Sequence, residues 1–466
     1  MVTLFAPDPE HPLRRIAVTL AGLLLAAHAA AADARDQDPR TEFPAAGRAR
    51  PEVPVIIVPG VLGSRLAKRE GGMELWPGRT RKLLTSRYLE LALRIDPATL
   101  EPVDDGLVPT GLFDAAAGKD FYRKIVATLQ QAGGYRRGRA GEPPKDGAAQ
   151  VYEFAYDWRQ DNLVTVKKLD AFIEQIRRDY GDPSLRVDIV AHSMGGLIVR
   201  YYERYGTVDV LNGNYFPVSG AGVEKLRRIV LLGTPNQGTV SAVNSFLDGY
   251  RVGLSKLPTE GVATMPAMYQ LFPHPLIDWV ASLRGKPIDR DLFDVDTWRS
   301  YQWSIFGPHV RQRIAEQPGV WGSQQVFDRW FEKWLERARR FTWSLMVPPG
   351  NVRLIEPLIL GGDCIPTPRR LVIEDLNGEA NARLTPEQIV HPIPGVDYES
   401  LMYEPGDGKV TLSSLLARQK MDPAVPKHEY ANIELAEAAF ACEKHDALAG
   451  DAGFLDLTLD YLLKVG

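Results

Sequence analysis

Ser193 lies in the run VDIVAHSMGGLIVRYY, which spans Val187 to Tyr202. Val187 to Val190 are mostly apolar and read as a short buried strand. Small residues surround the serine (Ala191, Gly195, Gly196), and an apolar pattern at helical spacing then continues to Gly206. Strand, sharp turn and helix form the setting in which a small-x-Ser-x-Gly pentapeptide exposes a nucleophilic hydroxyl. The serine must hold a strained backbone conformation there, and bulky side chains two positions to either side would collide. The turn also sets the Met194 N–H at the start of the helix, where it can donate to a developing oxyanion. A helix N-cap serine after a buried strand would carry the same letters, so partner residues must decide.

An activated serine needs a base, usually histidine, and a carboxylate that orients the base. In the matching architecture the carboxylate and then the histidine follow the serine along the chain. The chain has eight histidines. His11 and His28 fall in an N-terminal leader, and His192 sits in the turn itself, too constrained to reach its neighbour. His274 and His309 lie in a tryptophan-rich insertion, and His391 precedes the carboxylate candidate. His428 and His445 remain, and His445 is preferred because CEKHDALAGD is a polar loop just before the final helix. Asp407, in Pro405-Gly406-Asp407-Gly408, is the carboxylate candidate, since glycines on both sides permit close approach; Asp363 is the alternative. An ordinary turn aspartate would look the same. The glycine-rich turn Pro59 to Ser64 follows the first core strand. Its Val61 N–H, or else that of Leu62, is the candidate second oxyanion donor, against the plain reading of a strand-to-helix turn.

The elements that must position these groups follow from periodicity. Val53–Val58, Val151–Trp158, Val187–Val190, Arg228–Leu232 and Val352–Leu360 read as strands, with Leu371–Ile373 as a further strand-like stretch. Helices are expected over Phe121–Gln131, from Asp161 or Asn162 to Tyr180, over the run after Ser193, and over Phe454–Val465. Gly133 to Gln150, rich in glycine, arginine and proline, reads as an exposed loop. Strands alternating with helices predict a mostly parallel sheet with helices on both faces, an α/β-hydrolase fold. Seven of the nine tryptophans lie between Thr239 and Val347, which predicts a large helical cap. Within it, Phe327, Trp330, Phe331, Trp334, Leu335, Ala338 and Phe341 make one helix face. Packing against the protein is the preferred reading of that face, contact with lipid the other. The expected organisation is residues 53–238 as the first part of the core, with a lid-like excursion over 65–114. The cap then takes 239–350, and 351–466 complete the core.

The 466 residues are 45% hydrophobic and 24% charged, enough for a large core, and a formal charge of −4 gives no electrostatic case for nucleic acid. No histidine pair has metal-ligand spacing, and no cofactor or metal is expected. Arg14 and Arg15 precede the apolar run Ile16–Leu25 and small residues to Ala32. Residues 1–32 therefore read as a secretory signal peptide, with an uncleaved anchor as the other reading, and 33–52 as a flexible lead-in. Export to a periplasm, the cell surface or the medium is expected. The two cysteines, Cys364 and Cys442, then suit a disulfide, the other reading being two buried thiols.

VIIVPGVLGSRL, YDWR at Tyr156–Arg159, AHSMGG, GTPNQGT at Gly233–Thr239, IPTPR at Ile365–Arg369, GDGKV and CEKH occur in that order between residues 55 and 446. Together they resemble the lecithin:cholesterol acyltransferase family, with its lysosomal and bacterial phospholipase A and acyltransferase relatives. The resemblance implies Ser193 as nucleophile, Asp407 as orienting carboxylate, His445 as base, and the Val61 and Met194 N–H groups as oxyanion hole. It implies a lipid ester substrate, water or an alcohol as acyl acceptor, and a membrane surface as a possible partner. One departure is plain: mammalian members close a lid after the first strand with a disulfide, and this chain has no cysteine there. Two other readings stand beside this one: a non-catalytic lipid carrier on the same scaffold, and an esterase for soluble esters.

Overall fold

A computed structural model describes residues 50–78, 86–116, 119–252, 255–417, 433 and 435–464. The leader, nearly all of the lead-in, and His428 lie outside the described residues. Seven strands form the central sheet: β1 (Val55–Val58), β2 (Arg136–Arg137), β3 (Gln150–Glu153), β4 (Val187–His192), β5 (Leu226–Leu232), β6 (Leu358–Gly362) and β7 (Glu437–Ala441). Their order is β7–β6–β5–β4–β1–β3–β2, and every neighbouring pair is parallel.

Both faces of this sheet are covered, as side-chain alternation along β1 makes clear. Ile56 and Val58 enter one core with Leu163, Val166, Leu197 and Ile198. Val55 and Ile57 enter the other with Ile125, Leu129, Phe454 and Leu459. The first core lies under helices α2 (Asn162–Tyr180) and α3 (Met194–Tyr205), the second under α1 (Arg123–Gln131) and α5 (Ala452–Leu463). A sheet buried on both faces must be nearly apolar along its strands, which is why VIIV and IV read so plainly. Asp161 caps α2 by accepting from the Leu163 N–H, and Gly181 ends it at φ 65°. This is the α/β-hydrolase fold.

Several segments differ from the strand pattern expected: β3 ends at Glu153 and not at Trp158, and β7 lies in a stretch not expected to be a strand. The loop over 133–150 supplies the edge strand β2, two exposed arginines beside β3. The strand expected from Val352 begins only at Leu358, just past Pro357, which has no N–H to give a sheet. The stretch from Leu371 does not join the central sheet. Leu371–Leu376 pairs in parallel with Val280–Ser282 and antiparallel with Glu379–Arg383, so residues on both sides of residue 350 share one small sheet. Within 65–114, Ser64–Lys68 pairs antiparallel with Glu74–Trp76 and Leu107–Leu112.

Between β5 and β6 the chain is mostly helical, and α4 (Gln324–Met346) is its longest element. Phe327, Trp330, Phe331, Trp334, Leu335, Ala338 and Phe341 are each 2% exposed or less. Phe331 meets Phe246, Tyr269, Trp298 and Phe306 edge-on, and the Trp330 Nε1–H donates to the Ala263 carbonyl at 2.8 Å. The aromatic face of α4 therefore packs inside the protein and is not presented to lipid. Trp330→Ala should cost about 3–5 kcal/mol, the usual loss for emptying a buried aromatic site, read as a shifted denaturant midpoint at constant slope. A variant that keeps its stability but loses vesicle binding would restore the lipid-facing assignment.

Candidate active site

β4 runs into Ser193, which has φ 54° and ψ −125°, and α3 starts at the next residue. A non-glycine residue at positive φ is strained by roughly 1–3 kcal/mol, so its surroundings must hold it. The Ser193 N–H donates to the Leu232 carbonyl of β5 at 2.8 Å. Gly195 lies against the end of β1, where a Cβ would fall 2.5 Å from the Val58 carbonyl oxygen. Nothing larger than glycine fits there without moving β1.

The chain that leaves β1 crosses directly over the serine. A Cβ on Gly60 would sit 2.7 Å from the Ser193 Cβ and 3.2 Å from its Oγ. Val61 is the next residue of that turn, and Met194 is the first residue of α3. Hydrogen bonds brace this turn. Gly63 N–H donates to Gly60 O at 3.0 Å, Trp76 Nε1–H to Leu62 O at 2.8 Å, and Tyr156 O–H to Pro59 O at 2.7 Å. The YDWR segment thus acquires a physical role. Tyr156 and Trp158 support the turn from below, and buried Arg159 forks between Asp157 and Asp105 to hold the 65–114 excursion against the core.

Ser193, His445 and Asp407 are brought together in one line. The Ser193 Oγ is 2.9 Å from His445 Nε2, and His445 Nδ1 is 2.7 Å from the Asp407 carboxylate. Because a carboxylate only accepts, Nδ1 carries the proton, which leaves the Nε2 lone pair for the serine hydroxyl. Asp407 is 2% exposed, and its other oxygen accepts from the Lys409 and Val410 N–H groups at 2.9 and 2.7 Å. The His445 N–H in turn donates to the Asp407 carbonyl at 2.9 Å. The route of the chain explains how Asp407 reaches this point. Ile365–Pro368, within IPTPR, pairs antiparallel with Tyr403–Gly406, which returns the chain to the end of β6. Cys364 and Cys442 are disulfide-bonded, their Cα atoms 5.1 Å apart, where β6 and β7 end.

The alternatives are elsewhere. Asp363 is exposed, and His391 is 73% exposed beside Glu374. His309 is exposed, and His274 is buried edge-on against Trp343. Among the described residues no three His, Cys, Asp or Glu side chains gather as a metal site requires. His192 does not turn onto Ser193. Instead it bonds Tyr122 and the backbone of His445, contacts that only the fold could disclose, because Tyr122 has no motif of its own.

The chain resembles the lecithin:cholesterol acyltransferase family. The model of that family matches residues 103–287, a segment that holds Ser193 and Met194 but neither Val61, Asp407 nor His445. It is the family to which the spaced motifs pointed. No curated protein matches the chain. Among solved structures, that of the Tle4–Tli4 complex aligns with a TM-score of 0.55 at 15% identity, covering 88% of this chain and 98% of that one. The mature Bacillus licheniformis lipase BlEst2 aligns at 0.34 and 11% identity, over 90% and 93% of the two chains. EstA from Clostridium botulinum aligns at 0.33 and 10%, over 92% and 91%.

Electrostatics tie the pair together. Burial pushes the Asp407 carboxyl up, but His445 and the two N–H donors outweigh it and leave it below its ordinary value. Burial opposes a charged His445, but Asp407 outweighs it and raises the imidazole above its ordinary 6.5. A base must be neutral to accept a proton, and the neutral fraction grows as pH rises through its pKa. Labelling of Ser193 by a fluorophosphonate should therefore increase with pH and reach half its plateau above 6.5. Asp407→Asn should move that midpoint down and lower the plateau by about 10⁴. A midpoint unmoved by Asp407→Asn would mean that another group titrates.

Proposed function

We propose that this chain is a serine-dependent acyl hydrolase or O-acyltransferase that acts on lipid esters. The observation that carries the reading is the unbroken line from the Ser193 Oγ through His445 to Asp407, beneath a turn whose Gly60 packs on the serine. The resemblance to a lipid acyltransferase family supports the same reading.

In this mechanism Ser193 attacks the ester carbonyl while His445 Nε2 takes its proton. Asp407 holds the imidazole in the productive tautomer and stabilises its charged form. The Val61 and Met194 N–H groups donate to the tetrahedral oxyanion, Met194 with the field of the α3 N-terminus behind it. His445 then protonates the leaving alcohol, and the acyl group stays on Ser193. Water or an alcohol, deprotonated by the same histidine, releases it. A nearly closed apolar cleft opens beside the oxyanion turn. Its walls include Val61, Leu62, Trp76, Trp158, Tyr250 and Met268; it has room for little more than one water molecule, so an acyl chain would enter only if these walls part. The paired cysteines accord with an oxidising compartment, so the proposed site of action is outside the cytoplasm, on lipid that the protein meets there.

A lipid carrier would have no use for a base within hydrogen-bond reach of a strained serine. Mature protein, wild type and Ser193→Ala, added to phospholipid vesicles with and without a sterol or long-chain alcohol, separates the outcomes. Serine-dependent new ester is expected of a transferase, and serine-dependent free fatty acid alone of a hydrolase. If neither product forms, short-chain soluble esters decide between an esterase and an inert scaffold. Turnover retained by Ser193→Ala would remove the assignment.

A further inference from the structure

Two loops must meet at Ser193, and no sheet ladder joins them. The oxyanion turn leaves β1, and the His445 loop follows β7; β4, β5 and β6 stand between those strands. A line of hydrogen bonds spans the gap. Gly60 N–H donates to the Tyr122 Oη at 2.9 Å. The same Oη lies 2.8 Å from His192 Nδ1, and His192 Nε2 lies 3.1 Å from the His445 carbonyl oxygen.

Chemistry gives the line one direction. A carbonyl oxygen only accepts, so His192 Nε2 carries the proton and Nδ1 is bare. The Tyr122 hydroxyl must then donate to Nδ1 while accepting from Gly60. Tyr122 is 3% exposed, and the His192 and His445 rings are 4.9 Å apart. Burial first, and His445 next, hold the His192 pKa at about 3, with Asp446 and Asp407 opposing, so this ring stays neutral while its neighbour works.

We propose that Tyr122 and His192 are positioning residues for the acyl-transfer reaction: together they set the Gly60–Val61 turn and the His445 backbone at one separation, so that oxyanion donor and base address Ser193 at once. This rests on the reading of Ser193 as nucleophile. Neither side chain touches the reacting atoms. Their effect is one of placement, and a displacement of about 1 Å can cost on the order of 10²-fold in rate.

Tyr122→Phe, His192→Phe and the double variant are compared with wild type on a soluble p-nitrophenyl ester and a fluorophosphonate. Each single change should lower kcat by roughly 10–100-fold with KM within about twofold. Because each breaks the same line, the double variant should lose no more than His192→Phe alone. His192→Gln, whose amide can still donate to His445 O, should recover part of the loss. Additive losses, or single variants within twofold of wild type, would overturn the proposal. If the variants do not fold, ¹⁵N-histidine NMR of wild type decides: His192 should carry its proton on Nε2 alone from pH 5 to 9. A His192 that titrates in that range, or is protonated on Nδ1, overturns it. Wild type that resists the fluorophosphonate would count against the nucleophile reading, while the NMR result would still judge the line.

Discussion

Ser193 holds a backbone conformation that costs free energy, and much of the architecture serves to keep it there. β4 lies inside the sheet, between β1 and β5, so the strand that delivers the serine cannot shift without breaking two ladders. The helix that leaves it is buried along its whole length. That helix also anchors the long α4. Arg200 and Arg204 donate to the Leu345 and Ser344 carbonyls, and Tyr205 O–H reaches Ser344 O as well. Cations at the C-terminal end of a helix complement its dipole and satisfy carbonyls that have no partner within the helix. Burial, with Arg204 beside it, pushes the Arg200 guanidinium down to about 9, yet still leaves it charged at neutral pH. The end of α4 and the helix that leaves the Ser193 turn are thus tied together. A strained residue persists only where its surroundings over-determine it.

The second constraint is electrostatic. A carboxylate as buried as Asp407 would be unfavourable without compensation. Two backbone N–H donors and the His445 Nδ1–H supply it, and the His445 N–H fixes the backbone at the same point. The disulfide acts on the same geometry. It joins the ends of β6 and β7, and Cys442 precedes His445 by three residues. His445 is therefore held from its backbone, its ring and the strand behind it. Removing one partner of such a pair is worse than never having had it, because the other is left buried and uncompensated.

What was legible in the letters was what depends on neighbours in sequence. VDIVAHSMGG carries its own strand, turn and helix, and Asp161 and Gly181 mark both ends of α2, so those elements needed no tertiary information. Asp407 and His445 were narrower choices, since GDG and CEKH constrain a loop but not its destination; the returning strand that delivers Asp407 pairs residues 35 to 41 positions apart. The strand expected from Val352 began late because VRLIEPLIL has an apolar pattern that Pro357 interrupts at the backbone. The arginine-rich loop gained an edge strand because β3 offers its free edge to whatever lies beside it. Tyr122 was invisible. A tyrosine at the start of an amphipathic helix reads as core, and only the fold brings its hydroxyl to Gly60 and His192, residues 62 and 70 positions away.

The small crevice beside the Gly60–Val61 turn is apolar in character. Three polar groups in its wall are engaged within the protein: Trp76 Nε1–H on Leu62 O, Trp158 Nε1–H on Ser64 O, and Tyr88 O–H on Pro77 O. A ligand inserted there meets aromatic rings, methyls and methionine sulfur, and gains by shedding water from hydrocarbon, roughly 0.8 kcal/mol for each methylene buried. A sugar or nucleotide would lose its own hydrogen bonds to water and find few in return. The indole bonds have a second effect. Both wall tryptophans are tied to the backbone of the turn that carries Val61. Under the proposed mechanism, groups that pack on that wall and the geometry at the ester carbonyl would be coupled, the condition under which remote binding energy can be used to align the reacting centre.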